Sequence, residues 1–169
     1  QNTLIGGLAG DALEDADANV AIGKGALTTD RLGSYSVAVG FAALEAQIFT
    51  SATNSYNTAV GAAAGASVTT GIQNTLIGGL AGDAITTGEA NTALGYEALG
   101  ATTTANGNTG AGYRSLVANT TGAANTGIGT NALVANTTAS NNVAVGYAAL
   151  TANTTGVSNA VVGANAMDA

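Results

Sequence analysis

An all-β chain wound as a parallel β-solenoid of about ten coils is expected here, on three features of the amino-acid sequence. The residues repeat with a period of seventeen, every repeat places glycine at the same point, and a short β-rich run precedes that glycine. Each feature has a physical reading.

Self-similarity at a fixed period decides architecture before any local preference does. Residues 1–12, QNTLIGGLAGDA, recur unchanged at 73–84. Aligned on N-T-A-V-G, units begin at Asn2, Asn19, Ser36, Asn57, Asn74, Asn91, Asn108, Asn125, Asn142 and Asn159, spaced by 17 residues except for 21 between Ser36 and Asn57. The consensus is N-[TV]-[AL]-[VIL]-G-x-x-A-[LG], then about eight looser residues that often contain T-T-G. One solenoid over residues 1–169 is expected, with a four-residue insertion in the coil 36–56 that should bulge from the rod. Its looser half holds Ile48, Phe49 and Tyr56, the place where local specificity would sit. Both ends fall inside repeats, which suggests a segment of something longer.

Seventeen residues are too few for a two-helix repeat of roughly 33 to 47. Strand coils rise by about 4.8 Å each, so the units would make a rod on the order of 45 Å long. Proline is absent, as expected where every N–H is needed by a neighbouring coil.

Within the unit, the first position is asparagine at Asn2, Asn19, Asn57, Asn74, Asn91, Asn108, Asn125, Asn142 and Asn159. Stacked at strand spacing, these amides are expected to bond to one another as a ladder. The fourth position, Ile5, Ile22, Val39, Val60, Ile77, Leu94, Ala111, Ile128, Val145 and Val162, reads as an apolar rung, underfilled at Ala111. The fifth is glycine throughout: Gly6, Gly23, Gly40, Gly61, Gly78, Gly95, Gly112, Gly129, Gly146 and Gly163. A glycine required once per turn marks a corner with positive φ, or one where a side chain would strike the next coil. Alanine at the eighth position, replaced only by Ser115, and leucine at most ninth positions pair a small inward contact with a larger one.

Composition agrees with a thin interior. Hydrophobic residues are 46% of the chain, much of it alanine, and aromatics only 4%. Charged residues are 8%, and Lys24, Arg31 and Arg114 are too few to track phosphates, so nucleic acid is not an expected partner. No apolar run approaches a membrane span, so no membrane insertion is expected. Without cysteine or histidine, and with no paired carboxylates at telling spacing, neither catalysis nor a cofactor is expected.

Other patterns have a functional and a plain reading. Asp11, Glu14, Asp15 and Asp17 offer oxygens to a hard cation, but lack the glycine and spacing of a calcium loop, and read as a solvated edge. Asp30, Glu45, Asp83, Glu89, Glu97 and Asp168 are scattered. The stretch GGLAGDA has no lysine after it to make a phosphate cradle. Sequons at Asn119, Asn136 and Asn153 read as by-products of one repeated column. Threonine pairs from Thr69 and Thr70 to Thr154 and Thr155 would present one outward file, where an ice-binding face needs two. Phe41, Tyr96, Tyr113 and Tyr147 share the sixth position, and a file of exposed rings there is the contact surface the sequence offers, suited to stacking on sugars.

The motif N-[TV]-A-[VI]-G-x-x-A, seen in NVAIGKGAL from Asn19 to Leu27 and SVAVGFAAL from Ser36 to Leu44, resembles the YadA-like head repeats of trimeric autotransporter adhesins. NVAVGYAALTANTTG, from Asn142 to Gly156, is similar to repeats of bacteriophage tail fibres and other surface fibres. The resemblance covers all ten units and implies left-handed β-rolls wound as a homotrimer, with adhesion at the outer surface. The unit is longer than the adhesin-head unit of about fourteen residues that the family suggests, and fits the tail-fibre comparison better. A trimer would bury the alanine-rich face of each coil. The expected function is therefore a structural and adhesive segment of an extracellular, cell-surface or virion fibre that meets a cell-surface or glycan receptor. A self-stacking filament without receptor recognition is the alternative, and an ice-binding solenoid the third reading.

Overall fold

The computed structural model describes residues 1–167; Asp168 lies outside them. All regular structure among these is β. In chain order it comprises β1 (Thr3–Ile5), β2 (Val20–Ile22), β3 (Gly33–Ser34), β4 (Val37–Val39), β5 (Thr53–Asn54), β6 (Thr58–Val60), β7 (Thr75–Ile77), β8 (Thr92–Leu94), β9 (Thr109–Ala111), β10 (Thr126–Ile128), β11 (Val143–Val145) and β12 (Ala160–Val162). Ten of these form one parallel sheet with a strand from every unit, in the order β1-β2-β4-β6-β7-β8-β9-β10-β11-β12. Thr75, Thr92, Thr109 and Thr126 stand in register, as they must if seventeen residues close one circuit. The fold is a β-solenoid.

Side chains on a strand alternate, and the three strand residues show which way. The middle one points inward: Ala21, Ala38, Ala59, Leu76, Ala93 and Ala144 are fully buried. The fourth-position rung therefore lies outside, where Ile77, Leu94 and Ile128 are 41%, 39% and 42% exposed, and Ala111 leaves no void within. The reason is the corner glycine. It directly follows the rung and turns the chain, so the interior receives the residue two before it.

The alanine columns of the third and eighth positions are core, with Ala43, Ala64, Ala98 and Ala149 buried. They form no outer face for a partner. Leucine at the ninth position completes the core, although Leu27, Leu44, Leu99, Leu116, Leu133 and Leu150 hold φ between 50° and 56°. Left-handed φ costs roughly 1–2 kcal/mol for an L-residue, and complete burial of leucine returns about 1.5–3 kcal/mol. Burial wins, so a strained backbone is repeated coil after coil.

Both readings of the corner glycine hold at once. Gly95 has φ of 135°, and a Cβ on it would lie 2.6 Å from the carbonyl oxygen of Gly112 in the next coil.

The asparagine ladder differs from a stack of amides bonded mainly to each other. The N–H of Asn142 donates to Oδ1 of Asn125 at 2.9 Å, while Nδ2 of Asn125 donates to the Ala139 carbonyl of its own coil at 2.8 Å. Most of these amides link one coil's main chain across its own section and up to the next, as Asn74 does to the Gly88 carbonyl and the Asn91 N–H. Direct amide contacts also occur, as from Nδ2 of Asn159 to Oδ1 of Asn142 at 2.9 Å. A corner amide facing inward meets carbonyls and N–H groups that otherwise lack partners in an apolar interior, and these are the stronger claim on it.

The coil beginning at Ser36 has no such amide, and Gln47, at the twelfth position of the same coil, fills the gap. Gln47 Nε2 donates to Ser36 Oγ at 2.8 Å and to Asp30 Oδ2 at 2.6 Å, and its Oε1 accepts from Asn57 Nδ2 at 2.9 Å. Ser55 Oγ lies 2.6 Å from Ser36 Oγ. The buried Asp30 carboxylate also accepts from the N–H groups of Gly33 and Phe49 at 3.2 and 3.1 Å. Part of the insertion does protrude, with Thr50, Ser51 and Ala52 exposed, but β5 returns to pair with β3 and Phe49 is buried.

Candidate functional site

The outer surface of the ten-stranded sheet carries two files, the second and fourth positions of every coil. Neither holds a charge in any coil: the second is threonine, valine or alanine and the fourth is isoleucine, valine, leucine or alanine. From Thr58 through Thr75, Thr92 and Thr109 to Thr126, five successive coils show threonine beside the apolar file. This face is missed when the fourth position is read as core; the glycine after it was the signal.

At the corner beside this face, the sixth-position rings stand out as the sequence suggests. Phe41, Tyr96, Tyr113 and Tyr147 are 60%, 46%, 49% and 57% exposed. The structure brings together only Tyr96 and Tyr113, whose rings stack with centroids 5.8 Å apart and planes 12° from parallel. Phe41 and Tyr147 stand alone, because Ala62, Gly79 and Thr130 occupy the column between them and the pair. Gly79 leaves room for Tyr96: a Cβ there would touch its ring at 3.6 Å.

An ion pair supports the stacked rings. Arg114 Nε lies 3.2 Å from Glu97 Oε2, one residue along from each tyrosine. The phenol of Tyr96 is pushed above the usual tyrosine range, first by its hydrogen bond to Glu97 and then by the nearby negative charge. Burial raises the carboxyl of half-buried Asp83, with Glu97 adding to the shift. The result is an aromatic pair, edged by one anion and one cation, on an open surface.

The remaining patterns resolve into parts of the wall. In the acidic edge, Glu14 is taken by Arg31 through two bonds of 2.9 and 2.8 Å, which hold the Glu14 carboxyl below its ordinary range and the Arg31 guanidinium above its own. No group of three or more acidic residues among the described residues is arranged to hold a metal ion. In the threonine pairs, hydroxyls of the first members, such as Thr86 to the Thr103 carbonyl at 3.2 Å, are tied to the next coil, and the second members are exposed. The pairs lie in bends rather than on a strand, and so give a single file.

The sequon asparagines are structural in a way the sequence reading missed. Asn119 and Asn136 are fully buried, with Asn136 Nδ2 donating to Asn119 Oδ1 at 2.9 Å and Asn153 Nδ2 donating to Asn136 Oδ1 at 2.9 Å. They are a second ladder, set beside the first, since Asn125 and Asn136 both donate to the Ala139 carbonyl, at 2.8 and 3.0 Å. Among the described residues no helix is long and apolar enough to cross a membrane. No family model, curated protein or solved structure matches this chain.

Proposed function

We propose that this chain is a rod segment of an extracellular or virion surface fibre, acting as a stiff spacer and as an attachment surface. The observation that supports it best is the continuity of the wall. Main-chain N–H groups donate to carbonyls of the next coil along the whole length, and amide ladders stack within the interior. Bending such a rod breaks buried hydrogen bonds, each costing roughly 1–3 kcal/mol to leave unmade.

The uncharged sheet face is the surface on which three copies of the chain associate, with the fourth-position file at the three-fold axis. Exposed contiguous apolar surface of this kind marks an interface. The Tyr96–Tyr113 pair then lies beside that interface and faces outward to meet a cell-surface or glycan receptor, repeated three times around the fibre so that weak contacts add.

Mass measurement in solution with electron microscopy tests the assembly, using Ile77→Lys with Ile128→Lys as the variant. A trimeric rod that the paired lysines convert into folded monomers supports the reading. A monodisperse wild-type monomer rejects it, and end-to-end filaments would point to self-stacking instead.

A further inference from the structure

A second aromatic pair lies on the other edge of the sheet, where the seventeenth position of one coil leads into the corner asparagine of the next. Tyr35 and Tyr56 stack there with centroids 5.5 Å apart and planes 22° from parallel, and they are 48% and 53% exposed. The separation is close to the rise of about 4.8 Å per coil, so the rings lie one above the other along the rod.

The fold itself does not ask for these rings. Every residue in the column has left-handed φ, from 51° at Tyr56 to 69° at Gly107. The other coils satisfy it with Ala18, Gln73, Ala90, Gly107, Ala124, Asn141 and Ser158, small or polar residues with little to lose. A bulky aromatic at positive φ is a strained choice, made twice in succession and only beside the insertion. Strain kept in adjacent coils, without burial in return, points to a contact outside the chain.

The surroundings indicate the chemistry. Directly below Tyr35 the column holds the methyl group of Ala18, with Gln1 in the coil beneath that, so the stack ends at Ala18 in a step one coil high. At the upper ring, the Asn54 amide, delivered by the insertion, donates to Tyr56 Oη at 3.4 Å. Flat rings tipped with hydroxyls, a side-chain amide and an open step suit a ligand with one apolar C–H face and a rim of hydroxyls. An aliphatic chain would need an enclosed groove instead.

We propose that Tyr35 and Tyr56 form a carbohydrate-binding site, in which a neutral pyranose ring continues the aromatic stack over Ala18 and its chain lies along the insertion coil. The site rests on the attachment reading above and gives it a ligand class and a place distinct from Tyr96 and Tyr113.

The test is saturation-transfer NMR of the whole chain with a panel of neutral oligosaccharides, built from glucose, galactose, mannose or N-acetylglucosamine. Tyr35→Ala and Tyr56→Ala insert a residue native to the column at Ala18, Ala90 and Ala124, so both variants should fold. Ala18→Tyr fills the step. At least one oligosaccharide is expected to bind saturably, about two- to tenfold more weakly to each of the three variants, as for loss of one aromatic stack, and unchanged with a substitution at the exposed Val157, Val157→Ala. Absence of binding by the wild-type chain, or binding by Tyr35→Ala and Ala18→Tyr as strong as that of the wild type, overturns the site, as does displacement of the sugar by an aromatic or proline-rich peptide. Attachment of the chain to whole cells, measured in parallel, separates the two ideas. Cells bound equally by wild type and Tyr35→Ala sink this site alone, and cells not bound at all sink the attachment reading with it.

Discussion

A Cβ built on Gly82 would lie 2.8 Å from Cδ1 of Ile85, and these two positions trade volume along the whole rod. Where the ninth position is glycine, the twelfth is aliphatic: Gly10 with Leu13, Gly65 with Val68, Gly82 with Ile85. Where the ninth is leucine, the twelfth is polar: Leu27 with Asp30, Leu44 with Gln47, Leu99 with Thr102, Leu116 with Asn119, Leu133 with Asn136, Leu150 with Asn153. One coil section holds one large apolar group from this pair of positions. When leucine supplies it, the twelfth residue is free to hydrogen-bond the main chain.

Gly82→Leu alone should therefore overpack its coil and destabilise by about 1–3 kcal/mol. Combined with Leu76→Ala and Ile85→Thr, it copies the coil of Ala93, Leu99 and Thr102 and should recover most of the loss. Urea midpoints of the single and triple variants decide this. A triple variant no more stable than the single one would refute the exchange.

Gly95→Ala and Gly163→Ala separate the two causes of the corner glycine. Their φ values are 135° and 137°, but a Cβ on Gly95 meets a carbonyl oxygen at 2.6 Å, whereas among the described residues one on Gly163 meets nothing nearer than 3.5 Å. Backbone strain of about 1–3 kcal/mol is common to both, so the larger loss expected in Gly95→Ala measures the collision. Equal thermal shifts would show that collision contributes little.

Asn125→Ala leaves the N–H of Asn142 without a partner in a buried site, while the Ala139 carbonyl keeps the Asn136 amide at 3.0 Å. For one orphaned buried group a loss of roughly 1–3 kcal/mol is expected. Hydrogen exchange should quicken first at Asn142. Asn125→Asp should do worse, since it also brings a charge into the core.

Glycan attached at Asn119 or Asn136 cannot coexist with the buried ladder. Secretion from a glycosylating host should give little folded protein, and Thr121→Ala with Thr138→Ala and Thr155→Ala, all at exposed positions, should restore the yield. An unchanged yield, with glycan found on folded chain, would contradict the ladder.

Asp83 carries the pH dependence that the shifts support. Its folded carboxyl is raised by burial, so the folded chain binds a proton more readily than the unfolded one. Stability from this group is lowest above the folded pKa and improves as pH falls through it toward the unfolded value. Asp83→Asn should raise the melting temperature at pH 7 and flatten its rise on mild acidification. A lower melting temperature at pH 7 would show that the carboxylate is needed.

Much of this was open to reading in the residues. The period, the corner glycines, the parallel stack and the exposed tyrosines follow from spacing and residue type. The volume exchange between ninth and twelfth positions was equally visible, and is found only when the looser half of the unit is aligned column by column. The second ladder hid in the same half, because N-T-T reads as a sequon until the asparagine is known to face inward.

Taken alone, the sequence determined that seventeen residues make one turn, since only a recurring circuit stacks ten glycines one above another. Tertiary structure decided which side of each strand faces in. A three-residue strand alternates inward and outward with apolar residues on both faces, as in Val37–Ala38–Val39, so hydrophobic pattern cannot choose between them. The choice is made where the chain turns at Gly40, and with it whether the isoleucine and valine file fills a core or awaits a partner.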